Sequence, residues 1–177
     1  MKLLENKVAV ITGAGRGLGR AHALYFAGQG TRVIVNDVGR KEDDYLADLV
    51  VDEIVSRGGT AQSNYEDVSG FEGAKRIIDQ AVREFGGLDI LVNNAGILRD
   101  RMIFNMTAEE FDAVIAVHLK GTWNCTRHAC VYWRNRFKEG DHRGGSIVNT
   151  TSEAGLQGNV GQSNYAPAKS AIATLTI

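Results

Sequence analysis

Tyr165 and Lys169 stand four residues apart, a spacing that puts two side chains on one face of a helix. A phenol titrates near 10 in water, about three units too high for a base at neutral pH. An ammonium beside it favours the phenolate and lowers that value. Such a pair can pass a proton to or from a substrate oxygen. Ser152 lies thirteen residues earlier, in Asn149-Thr150-Thr151-Ser152. A hydroxyl there can hydrogen-bond the same oxygen and stabilise the charge that develops on it. The three together suit interconversion of an alcohol and a carbonyl, which also needs a hydride path. Taken singly, each has a plainer reading: a Tyr-Lys pair on a surface, or a Ser that caps a helix or closes a turn.

The hydride path is suggested at the other end of the chain. The apolar run Val8–Thr12 leads into Gly13-Ala14-Gly15-Arg16-Gly17-Leu18-Gly19. Glycines between a strand and a helix let the backbone approach a pyrophosphate, and the helix N-terminus offers it free N–H groups. Alone, the cluster also fits a tight turn that needs positive φ. A second strand ends in Asn36-Asp37, 18 residues past Gly19. A carboxylate there accepts the adenosine ribose hydroxyls and repels a 2′-phosphate, which favours NAD over NADP. Arg16 argues the other way, as a basic residue able to hold that phosphate. Asp37 weighs more, because a carboxylate facing the phosphate costs more than one exposed Arg returns. These two features alone also fit an S-adenosylmethionine site, so a methyltransferase stays open at this point.

The elements that must position these residues alternate between strand and helix. Strands are expected at Val8–Thr12, Arg32–Asn36, Thr60–Tyr65, Ile90–Asn93 and Ser146–Asn149. The first two are almost wholly apolar, as strands of a parallel sheet buried on both faces are. A helix is expected from Arg20 to Gly28. Phe71, Ala74, Ile77, Ile78, Ala81, Val82 and Phe85 form one helical stripe, stopped by Gly86 and Gly87. Leu46, Leu49, Val50 and Ile54 form another, ended by Gly58 and Gly59. Thr107 and Glu110 form a capping box that opens a long helix towards Phe137. Asn164 or Ser163 can cap the last helix, with Pro167 tolerated in its first turn. The alternation predicts a doubly wound, three-layer α/β/α sheet of Rossmann type, with residues 1–177 forming one dinucleotide-binding catalytic domain.

Bulk properties bound the function. The chain has 177 residues, 44% hydrophobic and 23% charged, with a formal net charge of −1. A nucleic-acid binder usually carries a basic excess. No apolar run approaches the roughly 20 residues a membrane span needs. Met1 to Lys7 is short and includes Glu5, unlike a signal peptide. Cys125 and Cys130 are five apart on a helical segment and point to different faces, so neither a disulfide nor a metal site is expected. A reducing, cytoplasmic setting fits.

The ordered set Thr12-Gly13-x-x-x-Gly17-x-Gly19, Asn93-Asn94-Ala95-Gly96, Ser152 and Tyr165-x-x-x-Lys169 resembles the short-chain dehydrogenase/reductase family. A methyltransferase needs none of the later motifs. The resemblance implies that Asp67 and Val68 contact the adenine ring. It also implies that Asn94, Ala95 and Gly96 line the cofactor. The implied roles are substrate orientation for Ser152, acid/base catalysis for Tyr165, and ribose binding with phenolate stabilisation for Lys169. The cofactor-binding set is then Gly13, Arg16, Gly17, Leu18, Gly19, Asp37, Asp67, Val68, Asn94, Ala95, Gly96, Tyr165 and Lys169, with NAD as cofactor and a small-molecule substrate.

Two features depart from the family pattern. Members usually carry an Asn on the long helix, in a water-linked proton relay to the Lys, where this chain has His118. His118 either takes over that relay or packs as a partly buried helix residue. Val35-Asn36-Asp37, Asn93 to Arg101 and Val117-His118-Leu119 are similar to the (3R)-hydroxyacyl-CoA dehydrogenase units of peroxisomal multifunctional enzymes and to related bacterial members. This resemblance makes a 3-hydroxyacyl-CoA, or another bulky hydroxy compound, the leading substrate. The second departure is length. Family members continue past the point matching Ile177 with further strands and lid helices, so the C-terminal part of the family domain is expected to be absent and one sheet face uncovered. A non-catalytic NAD-binding module is the rival reading.

The long helix from Thr107 to Phe137 is apolar on several sides, at Val117, Trp123, Val131 and Trp133, and such helices are usually covered on several sides. The resemblance implies pairing with a second subunit, as a homodimer or homotetramer. The two Trp residues can instead pack within one subunit.

Overall fold

The computed structural model describes residues 2–176, so the final residue, Ile177, lies outside the described part. Five parallel strands form the central sheet: β1 (Val8–Thr12), β2 (Arg32–Asn36), β5 (Thr60–Asn64), β6 (Ile90–Asn93) and β7 (Ser146–Asn149). Their order across the sheet is β5-β2-β1-β6-β7. The winding reverses between β1 and β6, and in such sheets ligands bind beyond the strand C-termini at that point.

Alternation along β1 sorts the core into two layers. Val8 and Val10, with Ile34, pack with Ile77, Ile78 and Ala81 of α3 (Phe71–Phe85) and with Cys125 and Ala129 of α5 (Gly121–Lys138). Ile11, Val33 and Val35 pack with Ala23 and Ala27 of α1 (Gly17–Gly28) and with Val50 and Ile54 of α2 (Leu46–Ser56). Burying a full Val, Leu or Ile side chain contributes ~1.5–3 kcal/mol, so β1 anchors both layers.

All five expected strands are present, with β5 one residue shorter than expected. A short antiparallel hairpin, β3 (Arg40–Lys41) with β4 (Asp44–Tyr45), precedes α2 and has no counterpart in the sequence reading. Two-residue strands are too short to show period-2 patterning.

The expected long helix runs as three segments. It comprises α4 (Ala108–Ile115), a π-form turn at Ala116–Lys120, and α5. Thr107 Oγ1 accepts from the Glu110 N–H, and Glu110 Oε2 accepts from the Thr107 N–H, which completes the capping box. A π turn holds one extra residue and turns the following side chains about the axis. His118 occupies this turn and faces the site, while Thr122, Cys125 and Ala129 face the core. Hydrophobic spacing cannot reveal a one-residue change of pitch.

Trp133 packs within the chain and donates from Nε1 to the Leu88 carbonyl at 2.7 Å. Trp123 is half exposed. Cys125 is buried, Cys130 is exposed, and both are free. Val148 of β7, the last strand in the sheet order, is exposed. Among the described residues no helix is long and apolar enough to cross a membrane, and no cluster of three metal-ligating side chains occurs.

Candidate active site

The parallel register aligns Thr12 with Asn36 and Asn36 with Asn64 at the C-terminal edge of the sheet. All three are buried polar residues, and each is spent on fastening a loop. Thr12 Oγ1 accepts from the Asn94 and Ala95 N–H groups at 3.0 and 3.1 Å. The Asn94 amide donates in turn to the Thr12 and Gly13 carbonyls, both at 3.0 Å. Asn36 Nδ2 donates to Asn64 Oδ1 at 2.7 Å and to the Glu66 carbonyl at 2.8 Å. The glycine turn and the loops after β2, β5 and β6 are thereby held at fixed spacing around one crevice.

The glycines do what the turn requires. Gly13 has φ of 61°, and a Cβ there would stand 2.6 Å from Ala95 Cα. Backbone thus meets backbone at this turn. Arg16 and Leu18 are exposed, and Gly19 is buried. A cleft of about 380 Å³ opens beside the turn, lined by Gly13, Arg16, Asp37, Asp67, Val68 and Asn94 to Gly96, among others. Gly17, Leu18 and Gly19 do not line it. Gly17 and Leu18 begin α1, and Gly19 packs against the Gly13 carbonyl and Asn94.

Asp37 is held firmly. Its Oδ2 accepts from the Gly15 N–H at 2.8 Å and its Oδ1 from the Gly39 N–H at 2.7 Å. One carboxylate joins the glycine turn to the hairpin loop and faces the cleft.

A second cleft of about 480 Å³ continues past Arg16, Asn94, Gly96 and Ile97 to His118, Thr150, Tyr165 and Lys169. A third, of about 300 Å³, lies on the far side of Tyr165, with Ser152, Leu98, Gln157 and Gln162 in its wall. Shared wall residues make the three one trough, with Asp37 towards one end, Ser152 towards the other and Tyr165 between them.

Tyr165 opens α7 (Tyr165–Leu175). Asn164, fully buried, caps it by accepting the Tyr165 N–H at 2.7 Å. The Asn164 amide also donates to the Arg99 and Glu110 carbonyls at 3.0 and 3.3 Å. Asn164, not Ser163, is therefore the cap, and it ties the start of α7 to two other segments. Lys169, one turn on, is 4% exposed, and its Nζ donates to the Thr150 carbonyl at 2.6 Å. The ammonium stands 5.6 Å from the Tyr165 ring centroid. Burial pushes Lys169 down to about 8, because the charged form loses hydration. Ser152 Oγ accepts from the Ala154 N–H at 3.3 Å, so it also opens the short helix α6 (Ala154–Gln157) while facing the third cleft.

His118 is buried against Gly96, where a Cβ would stand 2.3 Å from the imidazole Cε1. Its Nε2 lies 2.8 Å from the Ile97 carbonyl and 3.1 Å from the Ile97 N. One tautomer donates to the carbonyl and the other accepts from the N–H, and the shorter distance favours donation. Nδ1 is buried without a hydrogen-bond partner among the described residues. Desolvation pushes the imidazole down to about 4, with the nearby Lys169 charge adding to the shift. His118 is neutral near pH 7 and holds the backbone at Ile97 in place.

The structure brings Ser152, Tyr165 and Lys169 to one trough, which Gly13 and Arg16 of the glycine turn also line. The sequence does not announce the bonds made by Thr12, Asn36, Asn64 and Thr150, nor the amide bonds that Asn164, an expected cap, adds to Arg99 and Glu110. A polar residue closing an apolar strand, as in Thr12 and Asn36, was the available signal for two of them.

An α/β sheet with a glycine turn at β1, a carboxylate at the end of β2 and a Tyr-Lys helix beside the switch point defines a dinucleotide-binding architecture. The chain matches the short chain dehydrogenase family over residues 7–177, and it belongs to that family. It is 53% identical to hydroxyacyl-CoA dehydrogenase ChsB1 of Mycobacterium tuberculosis, over 98% of this chain and 56% of that protein. It is 46% identical to the peroxisomal hydratase-dehydrogenase-epimerase of Saccharomyces cerevisiae, over 93% of this chain and 18% of that protein. The chain thus spans just over half of the first relative and under a fifth of the second. The crystal structure of a short chain dehydrogenase from Mycobacterium avium superposes with a TM-score of 0.96 at 54% identity, over 98% of this chain and 62% of that one.

Proposed function

We propose that the protein is an NAD(H)-dependent oxidoreductase that interconverts a secondary alcohol and a ketone. The observation that carries this reading is the trough itself. Tyr165 and Lys169 wall a cleft that runs past Arg16 and Asn94 of the turn region and on to Asp37. The residues fit a dinucleotide, since Gly13, Arg16, Asp37, Asp67 and Val68 line a cleft that is continuous with the one lined by Tyr165 and Lys169. Gly13 and Arg16 would hold the phosphates at the start of α1, Asp37 the adenosine ribose, and Asp67 and Val68 the adenine. Asn94, Ala95 and Gly96 would line the nicotinamide half. The nicotinamide, when bound, supplies or accepts the hydride.

The chain's own residues manage the proton. Tyr165 gives it to, or takes it from, the substrate oxygen. Lys169 favours the phenolate by its charge and holds the nicotinamide ribose hydroxyls. Ser152 donates to the substrate oxygen. His118 keeps the Ile97 backbone fixed beside Tyr165 in place of the family Asn.

A 3-hydroxyacyl-CoA is the substrate class we favour. The name of the first relative, a hydroxyacyl-CoA dehydrogenase, supports it. Exposed Trp123 and Phe111 along the long helix support self-association as a homodimer or homotetramer, and the reading includes a cytoplasmic location.

The experiment is to incubate the purified protein with NAD⁺ and a panel of 3-hydroxyacyl-CoAs and secondary alcohols, following formation of NADH. Turnover by the wild type that disappears in Tyr165→Phe is expected. Turnover that survives the substitution overturns the Tyr165 role. NADH binding without turnover across the panel favours the non-catalytic module instead.

A further inference from the structure

The hairpin β3–β4 forms no part of the sheet, yet it ends in a three-layer stack. The Arg40 guanidinium carbon lies 4.4 Å from the Tyr45 ring centroid. Tyr45 stacks on Tyr65 with centroids 4.1 Å apart and planes at 29°. Tyr65 donates its hydroxyl to Asp48 on α2 at 2.6 Å. Arg40 also donates to the Asp43 carbonyl across the hairpin turn at 2.6 Å. The stack adjoins the adenosine end of the trough through its chain neighbours: Gly39, which precedes Arg40, and Glu66, which follows Tyr65, both line the cleft.

Gly39 connects the stack to the site. Its N–H donates to Asp37 Oδ1, and its carbonyl accepts from the Leu46 N–H at 2.9 Å, closing the base of the hairpin. Gly39 is thus one of two N–H anchors, with Gly15, that orient the Asp37 carboxylate towards the cleft. The hairpin also carries the cations nearest in sequence to Asp37, Arg40 and Lys41. A free Arg three residues from Asp37 would attract a 2′-phosphate. Here the guanidinium of Arg40 lies over Tyr45 and is bonded to the Asp43 carbonyl, a planar stacked geometry that Arg favours.

We propose that the Arg40–Tyr45–Tyr65 stack is a cofactor-discriminating device, which pins Asp37 towards the ribose through Gly39 and withholds Arg40 from a 2′-phosphate. Tyr45 and Arg40 act as positioning residues, through Asp37. This inference rests on the NAD reading above and deepens it, since it names what makes the carboxylate selective. Discrimination then has two parts: a fixed repulsive charge, and a cation kept out of reach.

The test measures NADH and NADPH dissociation constants by calorimetry for the wild type, Tyr45→Ala, Tyr45→Phe and Tyr45→Ala/Arg40→Gln. Exchange of the Gly39 amide hydrogen is measured in the free proteins, and melting temperatures confirm folding. The wild type is expected to prefer NADH. Tyr45→Ala should lower that preference at least tenfold, mainly by tighter NADPH binding, and should speed Gly39 exchange. Tyr45→Phe keeps the ring and should keep both properties. Adding Arg40→Gln to Tyr45→Ala should remove the gain in NADPH affinity. A wild type that prefers NADPH sinks the cofactor reading itself. A wild type that prefers NADH with an unchanged ratio in Tyr45→Ala sinks the hairpin inference alone, and so does equal weakening of both cofactors. Should Tyr45→Ala not fold, Arg40→Gln in the wild-type background is read by Gly39 exchange, and unchanged exchange overturns the proposal.

Discussion

The His118 ring meets the Tyr165 ring edge-on, with centroids 5.1 Å apart and planes at 88°. A buried imidazole thus packs on the phenol assigned to acid/base work, with its Nε2 fixed on Ile97 and its Nδ1 unpartnered among the described residues. This contact binds the π turn of the long helix to the start of α7.

His118 should make stability sensitive to mild acid. Its folded pKa is depressed from 6.5 to about 4, so the folded state binds fewer protons than the unfolded state between those values. Its contribution is present above pH 6.5 and is lost as pH falls towards 4. The loss amounts to at most ~3 kcal/mol. Denaturant unfolding of wild type and His118→Asn at several pH values measures it, and the variant should show a flatter profile through that window. Parallel profiles would show that His118 does not titrate in this way.

Lys169 should set function against stability. Its folded pKa is depressed from 10.5 to about 8, so its contribution is present above 10.5 and lost as pH falls through 8. At neutral pH the buried ammonium has one carbonyl partner, Thr150. Lys169→Met is therefore expected to stabilise the unliganded protein by ~1–3 kcal/mol near pH 7, while turnover falls by at least ~10²-fold. A destabilised variant at that pH would contradict the burial argument.

Asn164 should govern turnover without touching substrate. Asn164→Ala removes the cap and two amide donors, and is expected to cost ~1–3 kcal/mol. It should lower kcat by misplacing Tyr165 while leaving NADH affinity within a few-fold. Asn164→Asp preserves the cap acceptor but aims a carboxylate at the Arg99 and Glu110 carbonyls. It should be the worse variant at neutral pH and recover part of its stability as the pH is lowered. Equal stabilities for the two variants would refute the role of the amide.

Gly13→Ala should damage cofactor binding specifically. The substitution forces φ of 61° on a residue with a Cβ and drives that Cβ into Ala95. Left-handed backbone costs ~1–2 kcal/mol for a non-glycine residue, and the shifted turn should weaken NADH binding at least tenfold. Gly28→Ala, at the end of α1 with open space around it, serves as the control and should be neutral to stabilising. Similar NADH affinities in both variants would show that the turn tolerates the side chain.

The sequence by itself determined the sheet and the order of its parts. Apolar runs of five residues such as Val8–Thr12 can be buried only on both faces, and the helical stripe from Phe71 to Phe85 can be buried only on one. These are local periodicities, and they survive folding unchanged. The Tyr165, Lys169 and Ser152 set was legible for the same reason, because spacing along one helix and one strand end fixes it.

Tertiary structure decided the rest. Asn164 reaches Arg99 and Glu110 across 65 and 54 residues, and Thr12 reaches Asn94 across 82. No period records such bonds, because they depend on which loops the sheet register brings together. His118, open between relay and packing in the sequence, lies in a π turn with its Nε2 against Ile97, a contact 21 residues away along the chain. The hairpin beside Asp37 was invisible for a related reason: its strands are two residues long, and stacking and loop closure hold it in place of any hydrophobic pattern. Tyr165 and Lys169 could be read from the chain, whereas the positions of Asp37 and Ile97 around them are set by hydrogen bonds that exist only once distant segments meet.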